Sequence, residues 1–260
     1  MTVYKYIDGM INIMLMIFNF FSRCSLFFRP KLRKLIKNNR KLKELRKSEE
    51  CFIMGNGPSL KNVDFKKLEN KETFAVNYFY KYREDGFESK YFVAIDDIFA
   101  NSEGIEYIEK LYHDKKMYMI LRHSCFFNSK EKFDLNRCFF LYAKQFQAGN
   151  DVRIECDKNM TACINVVLQC IQIALDMGYK KIYLLGCEFS EYAQLKVEHF
   201  YNVDLTRAFS MGDEARWAAL VHYHHYALER YAKKRGVEII NLTPGSLIDA
   251  YKKDSFENII

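Results

Sequence analysis

Short apolar runs alternate with longer amphipathic stretches from residue 49 to the end of the chain. The short runs are rich in β-branched and aromatic residues, which is typical of buried strands. They cover residues 51–55, 73–77, 91–96, 116–122, 180–186 and 237–244. Two stretches with helical periodicity, residues 161–179 and 213–236, close on Gly178 and Gly236, as many helices do. This alternation predicts an α/β fold with a mostly parallel sheet and helices on both faces.

The first 47 residues have a different pattern. Residues 10–28, MINIMLMIFNFFSRCSLFF, are apolar but interrupted by polar residues, so they fall short of the roughly 20 clean apolar residues of a spanning helix. A basic run, residues 29–47, follows at once. An apolar anchor beside a lysine and arginine cluster is typical of proteins held on anionic membranes. We therefore predict an amphipathic helical segment, residues 1–47, followed by an α/β domain, residues 48–260.

In this interpretation the protein is cytoplasmic and peripheral on the inner face of the cell membrane, and it binds an anionic membrane surface through residues 10–47. Other interpretations stay open. The segment can be a transmembrane anchor, a signal peptide without a small-residue cleavage site, or a helix packed on the protein's own core or on a second copy in a homo-oligomer.

Charge and cysteine content exclude several classes of protein. The formal charge is +7, and residues 29–47 contribute +9, so residues 48–260 carry a net charge of −3. A nucleic-acid partner is therefore not expected for the domain. The 8 cysteines include no C-x-x-C pair and lie mostly in apolar runs, which favours reduced core residues over disulfides or a zinc site.

Small and polar residues follow the predicted strands, where ligands of open α/β sheets usually bind. The first strand runs directly into Gly-Asn-Gly-Pro-Ser, a sequence that allows a sharp turn with free backbone N–H groups facing a phosphate or a ribose. A lone Gly-x-Gly is weak evidence, because it lacks the full dinucleotide-binding fingerprint. The candidate binding residues at the strand ends are Gly55, Asn56, Gly57, Pro58, Ser59, Asn77, Asp96, Gly186 and Glu188.

Several motifs in order along the chain resemble the bacterial sialyltransferases of glycosyltransferase family 42. They are GNGPSLKNVDFKKL with FAVNYFY, then NMTACINVVLQCIQIALDMGYKKIYLLGCEF, and ALERYAKKRGVEIINLTPGSL. The same turn and helix also resemble a related family, described as 6-hydroxymethylpterin diphosphokinase-like, of glycosylation systems. The resemblance implies a Rossmann-like fold, a variant of the GT-A type, with a nucleotide-sugar-binding catalytic domain at residues 48–260.

The resemblance also implies roles for individual residues. Asn56 and Gly57 would meet the phosphate and ribose of the nucleotide, and Asn77 would contact the nucleotide sugar. Asp96 falls roughly where the family has another ligand-binding asparagine. Thr161 and Ala162 fall on a Thr-Ser pair of the family, so Ala162 removes one hydroxyl contact.

A further departure is Ser190, which stands in the place of a tyrosine thought to steady the leaving phosphate. Tyr192 and Tyr201 are the candidates to replace that tyrosine.

A general base must remove the proton of the acceptor hydroxyl, and histidine suits this role at cytosolic pH. The related sialyltransferases use a histidine just before the last long helix, and an alignment without gaps puts Ala219 there. Two candidates remain. His199 lies in the loop after the Glu188 strand end, and His222 lies about one helical turn beyond Ala219. A third alternative is that neither serves.

No cofactor is expected for a CMP-sugar donor, because the family resembled is metal-independent and the donor carries one phosphate. A diphosphate donor would need Mg²⁺, and the adjacent Asp96 and Asp97 would then be its ligands. Adjacent acids at a strand end are also commonly solvated or cap a helix.

Together these features predict an inverting glycosyltransferase. It would move a nonulosonic acid from a CMP-sugar donor to a glycan or glycolipid acceptor of the bacterial surface. Three alternatives stay open: a pterin diphosphokinase-like phosphotransferase, a transferase of UDP- or GDP-sugars, and a non-catalytic nucleotide-sugar-binding subunit of a glycan assembly complex. The phosphotransferase would need ATP and Mg²⁺, and the chain has no G-x-x-x-x-G-K-[ST] loop.

Overall fold

The computed structural model describes residues 2–81, 86–193 and 210–260. Within them the chain forms a parallel sheet of 9 strands in the order β6-β5-β4-β3-β2-β1-β7-β8-β9. The strands are β1 Glu50–Met54, β2 Thr73–Val76, β3 Tyr91–Ala94, β4 Tyr118–Arg122, β5 Cys138–Gln145, β6 Asn159–Thr161, β7 Lys181–Leu185, β8 Glu238–Asn241 and β9 Lys252–Lys253. The strand order reverses between β1 and β7, which is where ligands bind in folds of this type.

Helices cover both faces of the sheet. They are α1 Thr2–Phe27, α2 Pro30–Lys37, α3 Leu42–Leu45, α4 Ser102–Asp114, α5 His123–Asn128, α6 Val166–Met177 and α7 Met211–Lys233. Side chains of β1 alternate between the two faces: Cys51 and Ile53 pack with α6 and α7, whereas Phe52 and Met54 pack with α4 and α5. Both faces are apolar because both are covered, so the Rossmann-like α/β prediction is confirmed.

The predicted strands all exist, but the apolar pattern missed part of the sheet. β5, β6 and β9 were not predicted, and two of them lie at the ends of the sheet. The helix predicted at residues 161–179 begins later, at Val166, because Thr161 still belongs to β6 and Asn165 caps the helix by accepting a hydrogen bond from the Leu168 N–H. The last long helix, predicted at residues 213–236, spans Met211–Lys233.

The basic segment packs into the domain and does not stand apart from it. Leu35, Ile36 and Leu42 are buried in the core clusters, because α2 and α3 lay their apolar sides against the sheet and α6. The division predicted after residue 47 therefore does not coincide with a break in packing. Residues 30–45 are part of the folded domain, and their lysines and arginines are mostly on the outer side.

Asn39 fastens this segment to the sheet. Its fully buried side chain donates to the carbonyl oxygens of Phe140 and Cys156 at 2.9 and 2.7 Å and accepts from the Phe140 N–H at 3.1 Å. Asn39→Ala should lower the free energy of unfolding by about 3 kcal/mol, because it leaves buried backbone groups without partners. Urea denaturation measures this value. The neighbouring exposed Asn38, with one contact to Leu135, provides the control: Asn38→Ala should cost under about 1 kcal/mol. Equal losses would contradict this role of Asn39.

Helix α1 lies along the edge of the domain through its polar residues. Asn19 exchanges two 2.8 Å hydrogen bonds with the backbone of Phe146, and Asn12 accepts from the Gly149 N–H at 2.9 Å. Ser22 bonds to β5 and β6 through the Lys144 carbonyl and the Asn159 side chain. The residues that interrupt the apolar run are therefore those that dock the helix.

The opposite side of α1 is exposed and apolar. Within the described residues, one helix, Tyr6–Phe27, is long and apolar enough to cross a membrane, a property shared by signal sequences. Its large exposed side chains include Met10, Ile13, Met14, Ile17, Phe20 and Phe21.

Candidate functional site

A cavity of about 440 Å³ opens where the strand order reverses. The segments after β1, β2, β7 and β8 surround it, and the first turn of α6 closes one side. Its polar lining comprises Asn56, Asn77, Asn165, Glu188 and Ser190, and none of the described lining residues is lysine, arginine or histidine. The structure thus brings together most of the strand-end residues that the sequence predicted. Those in its wall are Gly55, Asn56, Gly57, Pro58, Asn77, Gly186 and Glu188.

The Gly-Asn-Gly turn is built against the end of β7. The Gly55 N–H donates to the Leu185 carbonyl at 2.8 Å, and the Gly57 N–H donates to the Gly186 carbonyl at 2.9 Å. A side chain at Gly55 would overlap the Gly186 carbonyl oxygen, so the close approach of these two backbones requires glycine.

Glu188 completes this turn. Its Oε1 accepts from the Ser59 N–H at 2.7 Å, where Pro58–Asn62 starts a short 3-10 helix. The expectation of free backbone N–H groups in the turn is therefore wrong for Gly55, Gly57 and Ser59, because the end of β7 already satisfies them. The turn shapes the cavity more than it supplies donors.

The cavity instead presents unpaired acceptors. Asn56 Oδ1, Asn77 Oδ1 and Glu188 Oε2 are buried and have no hydrogen-bond partner among the described residues. Asn77 is held in place by its own backbone, which adopts a left-handed conformation with φ of 51°, and by the 2.7 Å bond that its amide donates to Asp96. Buried acceptors are costly unless they meet donors, so this site suits a ligand rich in hydroxyl and amino groups.

The first turn of α6 adds a feature that the sequence interpretation missed. Val166 and Val167 line the cavity, and the first N–H groups of a helix have no partner within the helix. The positive end of a helix of this length favours an anion. The signal in the sequence was Asn165, a preferred N-cap residue inside a stretch that otherwise resembles continuous helix. Pro244 and Gly245, after β8, were also missed as lining residues.

His222 lies beside the cavity on α7. Its ring centroid is 5.3 Å from that of Phe189, which lines the cavity. Its Nε2 is 3.3 Å from the Tyr192 hydroxyl, and its Nδ1 is 3.7 Å from Asp249 Oδ1. Asp249 in turn accepts a 2.7 Å hydrogen bond from Tyr226. An imidazole between a carboxylate and a hydroxyl has the arrangement of a general base with an orienting partner.

The remaining predicted residues have other positions. Thr161 is buried in β6, where its hydroxyl accepts from the Arg153 N–H at 2.8 Å, and Ala162 lines a different cavity, so neither reaches the first one. Ser190 does line the first cavity. His199 and Tyr201 lie outside the described residues, and their predicted roles stay predictions.

The two adjacent acids have separate partners. Asp96 accepts from Asn77, and Asp97 forms an ion pair with Arg122. No cluster of three or more potential metal ligands occurs in the part of the chain that the structure describes. Mg²⁺ binding by this pair stays a prediction for a diphosphate donor.

Burial raises the pKa of Asp96 above its ordinary value, and the Asn77 amide offsets part of that shift. The folded state therefore holds this proton more tightly than the unfolded state. Its contribution to stability is largest below the unfolded pKa of about 3.9 and is lost as the pH rises through the folded pKa. Asp96→Asn should thus raise the melting temperature more at pH 7 than at pH 4. Thermal unfolding at both pH values measures this, with the exposed Asp8→Asn as control. An equal change at both values would contradict it.

Comparisons with known proteins agree with this architecture. The sialyltransferase CstII from Campylobacter jejuni, in complex with CMP, is 18% identical with a TM-score of 0.48, over 78% of this chain and 84% of that chain. The alpha-2,3-sialyltransferase Cst-I from the same organism is 18% identical with a TM-score of 0.45, over 80% of each chain. No curated protein matches the chain significantly in sequence.

One protein family matches the chain directly. Its sequence profile, described as 6-hydroxymethylpterin diphosphokinase MptE-like, matches residues 28–194. The match begins just before α2 and includes the Gly-Asn-Gly turn, the N-terminus of α6 and the end of β7. It covers more than half of the chain, so this protein is a member of the 6-hydroxymethylpterin diphosphokinase MptE-like family.

Proposed function

We propose that this protein is an inverting glycosyltransferase that moves a nonulosonic acid from a CMP-activated donor to a bacterial surface glycan. The observation that carries the proposal is the pairing of two features at the reversal of the strand order. One is a cavity with buried, unpaired acceptors, and the other is His222 with Asp249 at its edge.

The lining of the cavity supports a nucleotide sugar as ligand. The Oδ1 atoms of Asn56 and Asn77 can accept hydrogen bonds from sugar hydroxyls or from the amino group of cytosine. The N-terminal turn of α6 can bind the single phosphate of a CMP-sugar, in a wall that has no described cationic side chain. A diphosphate would carry more negative charge into the same wall, which favours the CMP-sugar over the UDP- or GDP-sugar.

Two further groups support the chemistry of transfer. The bond between the anomeric carbon and the phosphate oxygen breaks, CMP leaves, and positive charge develops on the sugar. The unpaired Glu188 Oε2 can stabilise that charge across the cavity. The acceptor hydroxyl attacks the opposite side of the anomeric carbon and gives its proton to His222 Nε2, while Asp249 beside Nδ1 favours the resulting imidazolium.

A thermal-shift panel of the full chain tests the ligand. It compares CMP, CDP, UDP, GDP and ATP, each with Mg²⁺ and with EDTA, because a ligand that binds the native state raises the melting temperature. Stabilisation by CMP that persists in EDTA is the expected result. Stabilisation by ATP or a diphosphate with Mg²⁺ alone would overturn the proposal in favour of a phosphotransferase or a UDP- or GDP-sugar transferase. The full chain is used because removal of residues 1–47 would take Leu35, Ile36 and Leu42 out of the core.

We also propose that the protein is peripheral on the cytoplasmic face of the membrane, with the outward side of α1 in the lipid. The polar contacts from Asn12 to Ser22 hold the helix against the domain, which favours a helix lying on the membrane over one crossing it. The adjoining residues 29–47, with a charge of +9, supply the attraction to anionic lipid.

Phe20 and Phe21, both on the exposed side of α1, test this orientation. The double change Phe20→Glu, Phe21→Glu should weaken binding to anionic vesicles by about 10-fold or more, because two aromatic side chains lose a lipid environment. Vesicle flotation measures the bound fraction. Tyr223→Glu, on an exposed position of α7, is the matched control and should leave binding within about 2-fold. Unchanged flotation of the double variant would exclude α1 as the membrane contact.

A further inference from the structure

A second cavity lies at the same edge of the sheet, beyond the ends of β3, β4 and β5. Its volume is about 410 Å³, and Phe18 of α1 forms part of its wall. Among the described residues it shares no lining residue with the first cavity. The proposed transfer chemistry therefore leaves this cavity without a role.

Basic side chains dominate the polar part of its wall. Arg122 ends β4, His123 begins α5 and Lys144 lies near the end of β5. Asp97 pairs with Arg122, but its carboxylate is 87% exposed to solvent. Burial, together with the charges of Arg122 and Lys144, lowers the pKa of His123 to about 4, so the imidazole is neutral at pH 7. The cations of this wall thus create a positive potential that favours an anionic ligand.

Buried polar atoms next to these cations have no partner. His123 Nδ1 and Ser124 Oγ are enclosed and unpaired within the described residues. A serine hydroxyl can donate, and so can one nitrogen of a neutral imidazole. With Arg122 and Lys144 they form a set of donors whose natural acceptors are the oxygens of a phosphate group.

The surroundings of this donor set are apolar on one side and basic on the other. Phe18 packs against Phe146 with ring centroids 5.0 Å apart, and the exposed Ile17 and Phe21 follow on the outward side of α1. His123 also lines a neighbouring cavity of about 420 Å³. Its other walls include Arg29, Lys31, Leu32 and Phe127. A soluble phosphate compound has no use for the apolar side, whereas a phosphate attached to a lipid chain matches both sides.

We propose that the second cavity binds the phosphate of a membrane lipid, with Arg122 and Lys144 holding the phosphate and the lipid chain passing beside Phe18. Both cavities open at the carboxyl edge of the sheet, and Asn77 and Asp96, joined by a hydrogen bond, lie between the strand ends that serve each. A lipid phosphate held there brings its attached sugar toward the first cavity. This last step, which identifies the acceptor as lipid-linked, rests on the proposed glycosyltransferase function, whereas the binding itself does not.

Calorimetric titration of the full chain in nonionic detergent micelles tests the site. The probes are dihexanoyl phosphatidic acid, dihexanoyl phosphatidylcholine and inorganic phosphate. We expect phosphatidic acid to bind, and the double variant Arg122→Gln, Lys144→Gln to weaken it by about 10-fold or more, because two charge-assisted hydrogen bonds are lost. Lys144→Gln alone, a change at an exposed position, should weaken it in the same direction.

The matched control removes the same charge elsewhere. Lys116 and Lys180 are exposed and directly precede β4 and β7, so they lie at the opposite edge of the sheet. Lys116→Gln, Lys180→Gln should leave the affinity within about 2-fold. Equal weakening by both double variants would overturn the proposal, since it would indicate attraction by net charge alone. Inorganic phosphate binding as tightly as phosphatidic acid would overturn the lipid as its source. No step requires a nucleotide or turnover, so a negative result here is distinguishable from a failure of the CMP panel.

Discussion

His222→Asn is expected to lower kcat for sugar transfer by about 10²–10⁴-fold, the usual contribution of a positioned general base. Asparagine keeps a polar side chain of similar reach but cannot accept a proton at neutral pH. Its effect on donor affinity should be small, because His222 lies at the edge of the cavity and is not part of its wall. Release of CMP from a CMP-activated nonulosonic acid in the presence of a glycan acceptor measures kcat and KM.

His113→Asn provides the control for this variant. His113 is exposed on α4, where it bonds to Glu131 at 2.9 Å, and its replacement should leave kcat unchanged. Asp249→Asn should give an intermediate loss of kcat, because Asp249 acts through the imidazole and does not take the proton itself. Full activity of His222→Asn would assign the base to His199, the other histidine that the sequence suggested.

Gly55→Ala is expected to destabilise the protein by about 3 kcal/mol and to abolish donor binding, because the new methyl group overlaps backbone and not a flexible side chain. The Gly186 carbonyl oxygen and the Cys187 side chain stand in its place. Relief would require the ends of β1 and β7 to separate, which would open the wall of the first cavity. Thermal unfolding with and without CMP measures both effects.

Gly212→Ala is the matched control, since the nearest atom to its added methyl group is 3.9 Å away, at the start of α7. In a helix, alanine is favoured over glycine by about 0.5–1 kcal/mol, so this variant should be unchanged or more stable. A Gly55→Ala protein that melts normally and still responds to CMP would contradict the tight packing of the turn against β7.

The sequence predicted the central strands because residues buried on both faces form short apolar runs that punctuate the chain. It did not predict β6 or the true start of α6. Residues 159–165 mix strand, turn and cap, and a single apolar period cannot separate them. The same mixture concealed the anion-binding first turn of α6.

The boundary after residue 47 was misplaced for a related reason. Composition registers lysine and arginine, and ten of them in residues 29–47 outweighed the buried Leu35, Ile36 and Leu42. The helical period hidden in this run places those apolar residues on one side, toward the sheet, while the charges face outward.

By itself the sequence determined the local elements of this protein: the strand that stops at Gly55, the Asn-capped and Gly-ended helices, and an apolar segment beside a basic one. These follow from backbone freedom, capping and period, which act over a few residues. The tertiary structure alone decided that Glu188 would satisfy the turn after β1, that His222 would meet Asp249, and that α1 would border a basic cavity. Those pairings join residues far apart in the chain, and the order of strands in the sheet, which no local pattern encodes, brings them together.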